Sequence, residues 1–186
     1  MRKYAFLMIV MLMGVSQVGF ASASKGAATV QQLAAQGNPA AMILLGDMYA
    51  TGSGVPVSDV KALQWYKKAA AMHSVFGMTN LGRIYFYGLY DVPKSNKIAA
   101  AWYAKAAKKG YGRAQRHLAT LYFIGRGVAK NDIEAYAWWG LAAASGDKLA
   151  KRYQRIVRPT MSREALRLAN EKVLLYERLY GYSFQD

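Results

Sequence analysis

The residues best equipped for chemistry are few, and most of them are cationic. The 186-residue chain carries 25 Lys and Arg against 10 Asp and Glu, with two His and no Cys. Without Cys there are no disulfides, thiolate metal sites or Cys nucleophiles. His73 and His117 lie far apart, and His117 has no companion in the sequence that would make it a base or a metal ligand. The acidic residues form no general acid–base pair, and no phosphate loop, metal-ligand spacing or nucleophile elbow is present. The expectation is therefore a non-enzyme with no catalytic, cofactor or metal site.

What is left for function is a cationic surface. Nine Lys or Arg and no acid stand between Asp91 and Asp132, from Lys94 to Lys130. A second cluster is Lys148, Lys151, Arg152, Arg155 and Arg158, where helical spacing aligns 148, 152 and 155, and also 151, 155 and 158. Such a surface fits an acidic protein, an anionic glycan or lipid headgroups. The plainer reading is that these charges solvate helix faces and helix ends. No nucleic-acid motif is present, and no nucleic-acid partner is expected.

The first segment reads as an export signal. Arg2 and Lys3 form a short basic start, residues 4–20 carry no charge, and Ala21-Ser22-Ala23 offers the small-x-small pattern of a cleavage site. Cleavage after Ala23 or Ala21 is expected, leaving a periplasmic or secreted protein. An uncleaved segment would be its only membrane contact. Losing Arg2 and Lys3 lowers the formal charge from +15 only to +13.

These surfaces must be positioned by a repeat. Leu45-Gly46 recurs as Leu81-Gly82 and Leu118-Ala119; Tyr49 as Tyr85 and Tyr122; Gly52 as Gly88 and Gly125; Trp65-Tyr66 as Trp102-Tyr103 and Trp138-Trp139. A fixed period of this length marks stacked helical units. In each unit Ala41, Leu45 and Tyr49, or their equivalents, share one face of a first helix. Asp59, Asn96 and Asp132 are expected to cap the second helix. Both aromatics of the Trp-Tyr pair are expected to face the Gly or Ala of the first helix, so core packing is preferred to a sugar-binding platform. His73 stands where Gly110 and Gly146 close the other units, a strained cap. The middle copy inserts one residue at Leu89-Tyr90-Asp91.

The pattern Ala-x3-Leu-Gly-x2-Tyr-x2-Gly-x-Gly-Val-x3-Asp-x2-Ala-x2-Trp-Tyr-x2-Ala resembles the Sel1-like repeat, a relative of the tetratricopeptide repeat. Residues 41–69 match it throughout, and 114–142 match with Ala119 and Trp139 as variants. The resemblance implies an all-α, right-handed α-solenoid of antiparallel helix pairs, acting as an adaptor between proteins. The expected layout is a signal peptide at 1–23 and a half-unit helix at 24–38. Three repeats follow at 39–74, 75–110 and 111–146, then capping helices at 147–180 and a tail at 181–186. First helices line the inner face of such a solenoid, so Asn80, Arg83, Arg116, His117 and Thr120 are candidate partner-binding residues. Lys151, Arg155 and Arg158 join them from the second basic cluster. The expected molecule is a monomeric scaffold for a protein partner, acidic in character. The alternative is an envelope enzyme, or a direct binder of peptidoglycan or anionic glycan through the basic surface.

Overall fold

The structure, a computed structural model, describes residues 26–180. The leader expected at 1–23 and the tail expected at 181–186 lie outside those residues. All regular structure among the described residues is helical. They form two compact units, one ending at Ala69 and one beginning at Ala70. The first holds α1 (26–35), α2 (Pro39–Thr51) and most of α3 (Asp59–Ala71). The second holds α4 (Val75–Tyr87), α5 (Asn96–Lys108), α6 (Gly112–Ile124), α7 (Asp132–Ala144), α8 (Lys148–Val157) and α9 (Arg163–Tyr180). A 3-10 turn over Arg158–Thr160, which contains Pro159, separates the last two. This is the expected all-α repeat of paired helices with helical capping elements.

Local chemistry sets the helix ends. Asn38 caps α2, its side chain accepting from the Ala41 amide at 3.0 Å, with Pro39 following as the first helical residue. Gly52, Gly88 and Gly125 end α2, α4 and α6 in the left-handed conformation. The caps of the second helices fall one residue earlier than expected. Ser58, Ser95 and Asn131 accept the amides of Lys61, Ile98 and Glu134, while Asp59, Asn96 and Asp132 are already helical. Asn96 Oδ1 and Asp132 Oδ1 are buried and accept no hydrogen bond. Two adjacent residues of capping type compete here, and the upstream one wins in all three copies. His73 does adopt the left-handed region, at φ 61°. The inserted residue of the middle copy is absorbed by Tyr90 and Asp91, at φ 58° and 55°.

The helix pairs are held by tyrosine rings lying on glycine. A Cβ placed on Gly46 would stand 2.7 Å from Tyr66 Cε1, and one on Gly82 would stand 2.6 Å from Tyr103 Cε1. Both rings are almost fully buried. Only hydrogen at that position lets the second helix approach so closely, which explains a residue that otherwise weakens a helix by about 1 kcal/mol. The tryptophans of the pairs behave differently from the expectation. Trp65 and Trp102 are half-buried, with Lys68 Nζ 4.1 Å and Lys105 Nζ 4.4 Å from their ring centroids. One residue along a helix is a turn of about 100°, so adjacent aromatics cannot both face the glycine.

Trp138, at the same register, is only 3% exposed because α9 covers it. Tyr176 and Tyr180 place their ring centroids 4.4 and 5.6 Å from Trp138. Gly140 admits α9 closely: a Cβ there would meet Val173 Cγ2 at 2.7 Å. Glu134 then ties the two helices, accepting from Lys172 Nζ and, at 2.8 Å, from the Tyr176 hydroxyl. Burial first, and then this hydrogen bond, raise the Tyr176 hydroxyl above its ordinary pKa.

Gly82→Val forces side-chain atoms into the Tyr103 ring and is expected to destabilise the protein by about 3 kcal/mol, read from the urea unfolding midpoint. Gly112→Ala is the matched control. Its Cβ would meet the nearest atom, Ser145 Cβ, at an ordinary 3.5 Å, and the change is expected to stay within about 0.5 kcal/mol.

Candidate binding surfaces

The structure divides the expected partner-binding residues into two groups. Asn80 and Arg83 project from α4, and Arg116, His117 and Thr120 from α6. Lys151 and Arg155 lie on α8, and Arg158 opens the 3-10 turn that follows it.

In the first group the imidazole is the centre. His117 stacks on Tyr103, with centroids 4.9 Å apart and planes inclined by only 16°. Its place on the surface is therefore set by the same ring that packs on Gly82. Burial foremost, then the positive charges of Arg116 and Arg113 and more weakly Arg83, lower its pKa from 6.5 to about 4; Asp147 opposes them weakly. The ring is neutral at physiological pH and presents hydrogen-bonding nitrogens rather than a charge.

Arg116 is fixed where it stands. Its Nε donates to Asp147 Oδ2 at 2.8 Å, and both side chains are 18% exposed. Asp147 also caps α8, accepting the Ala150 amide at 2.9 Å through its other oxygen. Burial alone would raise the Asp147 carboxyl, but the bond from Ala150 and then the Arg116 guanidinium outweigh it and hold the pKa below the ordinary value. Asp147 is thus engaged twice, by the Arg116 guanidinium and by the Ala150 amide. Thr120 Oγ1 donates to the Arg116 carbonyl at 2.9 Å, so its hydroxyl is turned back onto its own helix. Arg83 is exposed, Asn80 is half-buried, and neither Arg83 nor Arg113 has a carboxylate partner among the described residues. Arg113 was legible only as one member of the long basic stretch. Its position one turn before His117 gives it a role.

In the second group, α8 and α7 enclose an open cleft of about 460 Å³. Its lining is Tyr136, Gln154 and the five cations Lys148, Lys151, Arg152, Arg155 and Arg158. Tyr136 and Gln154 were not foreseeable from charge patterning. Gln154 Nε2 donates to the Tyr136 carbonyl at 3.4 Å, linking α8 to α7 at the cleft.

In the first repeat the position equivalent to Arg83 is Asp47, which accepts the Tyr66 hydroxyl at 2.6 Å. The third repeat carries Trp139 in place of that tyrosine, and the buried Trp139 Nε1 has no acceptor. Trp65 and Trp102, the exposed edge of any aromatic platform, are already covered by lysines. Among the described residues no group of three or more His, Asp or Glu is gathered as for a metal ion. No described helix is long and apolar enough to cross a membrane.

A family model described as "Sel1 repeat" matches residues 39–74, 75–111 and 112–147. Two solved structures are similar. One is c5321, a protective antigen present in uropathogenic Escherichia coli strains displaying an SLR fold. It shares 24% identity at a TM-score of 0.64, over 84% of this chain and 41% of its own. The other is a Sel1 repeat protein from Oxalobacter formigenes, with 31% identity and a TM-score of 0.65, over 68% of this chain and 95% of its own. The chain thus spans less than half the length of the first and nearly all of the second. No curated protein matches.

The state of His117 makes stability depend on pH. Its proton is bound near pH 6.5 in the unfolded chain but only near 4 in the folded one. Below 6.5 the unfolded state therefore holds more protons, and stability falls as pH drops, levelling off below about 4. The loss is on the order of 2–3 kcal/mol. His117→Gln should shrink the difference between urea unfolding free energies at about pH 7 and about pH 4.5 by most of that amount. An unchanged difference would mean that the imidazole binds its proton equally well in the folded and unfolded chain.

Proposed function

The chain belongs to the Sel1 repeat family, and from that premise we propose an exported, non-catalytic scaffold that docks an acidic protein in the bacterial envelope or outside the cell. Sel1 repeat proteins are helical-repeat scaffolds for protein–protein interaction. The observation that carries the finer reading is the face of α4 and α6. The positive charges of Arg83, Arg113 and Arg116 all act on a neutral, stacked His117, and among the described residues Arg83 and Arg113 pair with no carboxylate.

That face combines fixed and free elements. Arg116 and His117 are held by Asp147 and Tyr103, so little side-chain freedom is lost when a partner binds. Arg83 and Arg113 are exposed and reach outward, where planar guanidinium groups take carboxylates in bidentate fashion. Asn80 supplies an amide beside them, as expected of a peptide-reading surface. The net charge of +13 left after loss of Arg2 and Lys3 speeds encounter with an acidic partner. Export rests on the basic start at Arg2 and Lys3, the uncharged run and the Ala21-Ser22-Ala23 site.

Two measurements test this reading. Affinity capture from an envelope extract should recover a partner, and Arg83→Ala/His117→Ala should reduce recovery by about tenfold at low salt, a gap that narrows as rising salt lowers recovery by the parent protein. Recovery that is identical for the double variant would remove the face from the reading. The N-terminus of the protein in the periplasmic or secreted fraction should be Ser22 or Ser24, by intact mass. Protein that retains Met1 in the cytoplasm would end the export claim.

A further inference from the structure

The cations of α8 lack counter-charge. Lys148, Lys151, Arg152, Arg155 and Arg158 are all exposed, and none pairs with a carboxylate among the described residues. The adjoining acid, Asp147, is taken by Arg116 and by the α8 cap. Like charges at 148 and 152, and at 151 and 155, face each other across one helical turn and work against the helix.

The register shows why this face is open. Gln154 stands where Leu118 and Leu81 are buried, and Arg155 where Ala119 and Gly82 receive the following helix. In α4 and α6 those positions are covered by α5 and α7. After α8 the chain turns at Arg158–Thr160, and α9 packs against α7 through Gly140 and Glu134. No residue of α9 lines the cleft of about 460 Å³ beside α8.

We infer that this cleft is a binding site for a ligand bearing two or more phosphate groups, separate from the face on α4 and α6. Its size is that of a small-ligand pocket, and five of its seven lining residues are cationic, where such pockets usually carry only a few polar groups. Five positive charges are balanced by about two to three phosphates at roughly −1.5 to −2 each. Three of the five are arginines, whose planar forks grip phosphate oxygens two at a time. The two lysines add point charge, and Gln154, bonded to the Tyr136 carbonyl, adds an amide to the lining.

The competing explanation is the overall charge of +15, which would draw any polyanion to any face. A charge-matched pair of variants separates the two. Isothermal titration of the full chain with inorganic pyrophosphate should show saturable binding near one site. Lys151→Glu/Arg155→Glu should weaken it by about tenfold or more, and Lys97→Glu/Arg126→Glu, which removes the same charge elsewhere, by less than about twofold. Equal losses in the two variants, or no saturable binding to the parent, would overturn the inference. Citrate, a carboxylate anion of similar charge, should bind at least about tenfold more weakly than pyrophosphate; equal affinity would overturn the phosphate assignment. If charge reversal prevents folding, Lys151→Gln/Arg155→Gln against Lys97→Gln/Arg126→Gln gives the same comparison. Sedimentation with cardiolipin vesicles identifies the carrier. Binding that pyrophosphate displaces supports the site with a lipid-borne ligand. Absence of sedimentation, with pyrophosphate binding intact, supports it with a soluble one.

Discussion

A ring lying on a residue without a side chain is the contact on which each of the first two helix pairs depends. Closeness of this kind leaves no slack: the ring's plane and depth are set by the glycine. Tyr103 carries that order outward, because one part of its ring meets Gly82 and His117 stacks upon it. Three successive helices are thereby joined through one side chain. The surface histidine occupies a position decided in the core, and the arginines around it are arranged about a fixed point. In the first unit the same kind of ring reaches Asp47 with its hydroxyl, so an acid takes the register at which Arg83 stands free in the second repeat. A change of one side chain between copies converts a satisfied contact into an outward cation.

The third repeat solves a different problem, since α8 and α9 follow it in place of another matching pair. Trp138 is covered by two tyrosines of α9, where its counterparts Trp65 and Trp102 each carry a lysine ammonium over the ring. The Glu134 carboxylate, bound from α9 by Lys172 and Tyr176, makes this closure polar as well as apolar. Breaking one partner of such a half-buried group leaves another unsatisfied, so the closing helix is held more firmly than its exposed leucines imply.

The period of the chain made most of the fold legible. Glycines, leucines and aromatics recurring in step identify the helix pairs, and His73 at a glycine position correctly marks a left-handed residue. Phase within a helix was harder to read. Trp65 and Tyr66 are neighbours, and only coordinates reveal which faces Gly46. The caps slipped by one because Ser58-Asp59, Ser95-Asn96 and Asn131-Asp132 each offer two good acceptors side by side. Among the site residues, Arg83 and His117 were visible as variable positions on first helices. The Arg116–Asp147 and Glu134–Lys172 pairs span 31 and 38 residues, and no local pattern could announce them. Nor does charge patterning foretell a cleft, which exists only because α9 turns onto α7.

Gln154 and Arg155 have a consequence for the history of the chain. Repeat proteins lengthen by tandem duplication, and a new copy needs an apolar edge on which to grow. At α8 that edge has been rewritten with an amide and a guanidinium, in the positions that leucine and glycine or alanine hold upstream. A unit appended there would bury unmatched charge. Lineages of this protein that gain or lose copies should therefore do so ahead of α7, while α7, α8 and α9 are inherited together as a block.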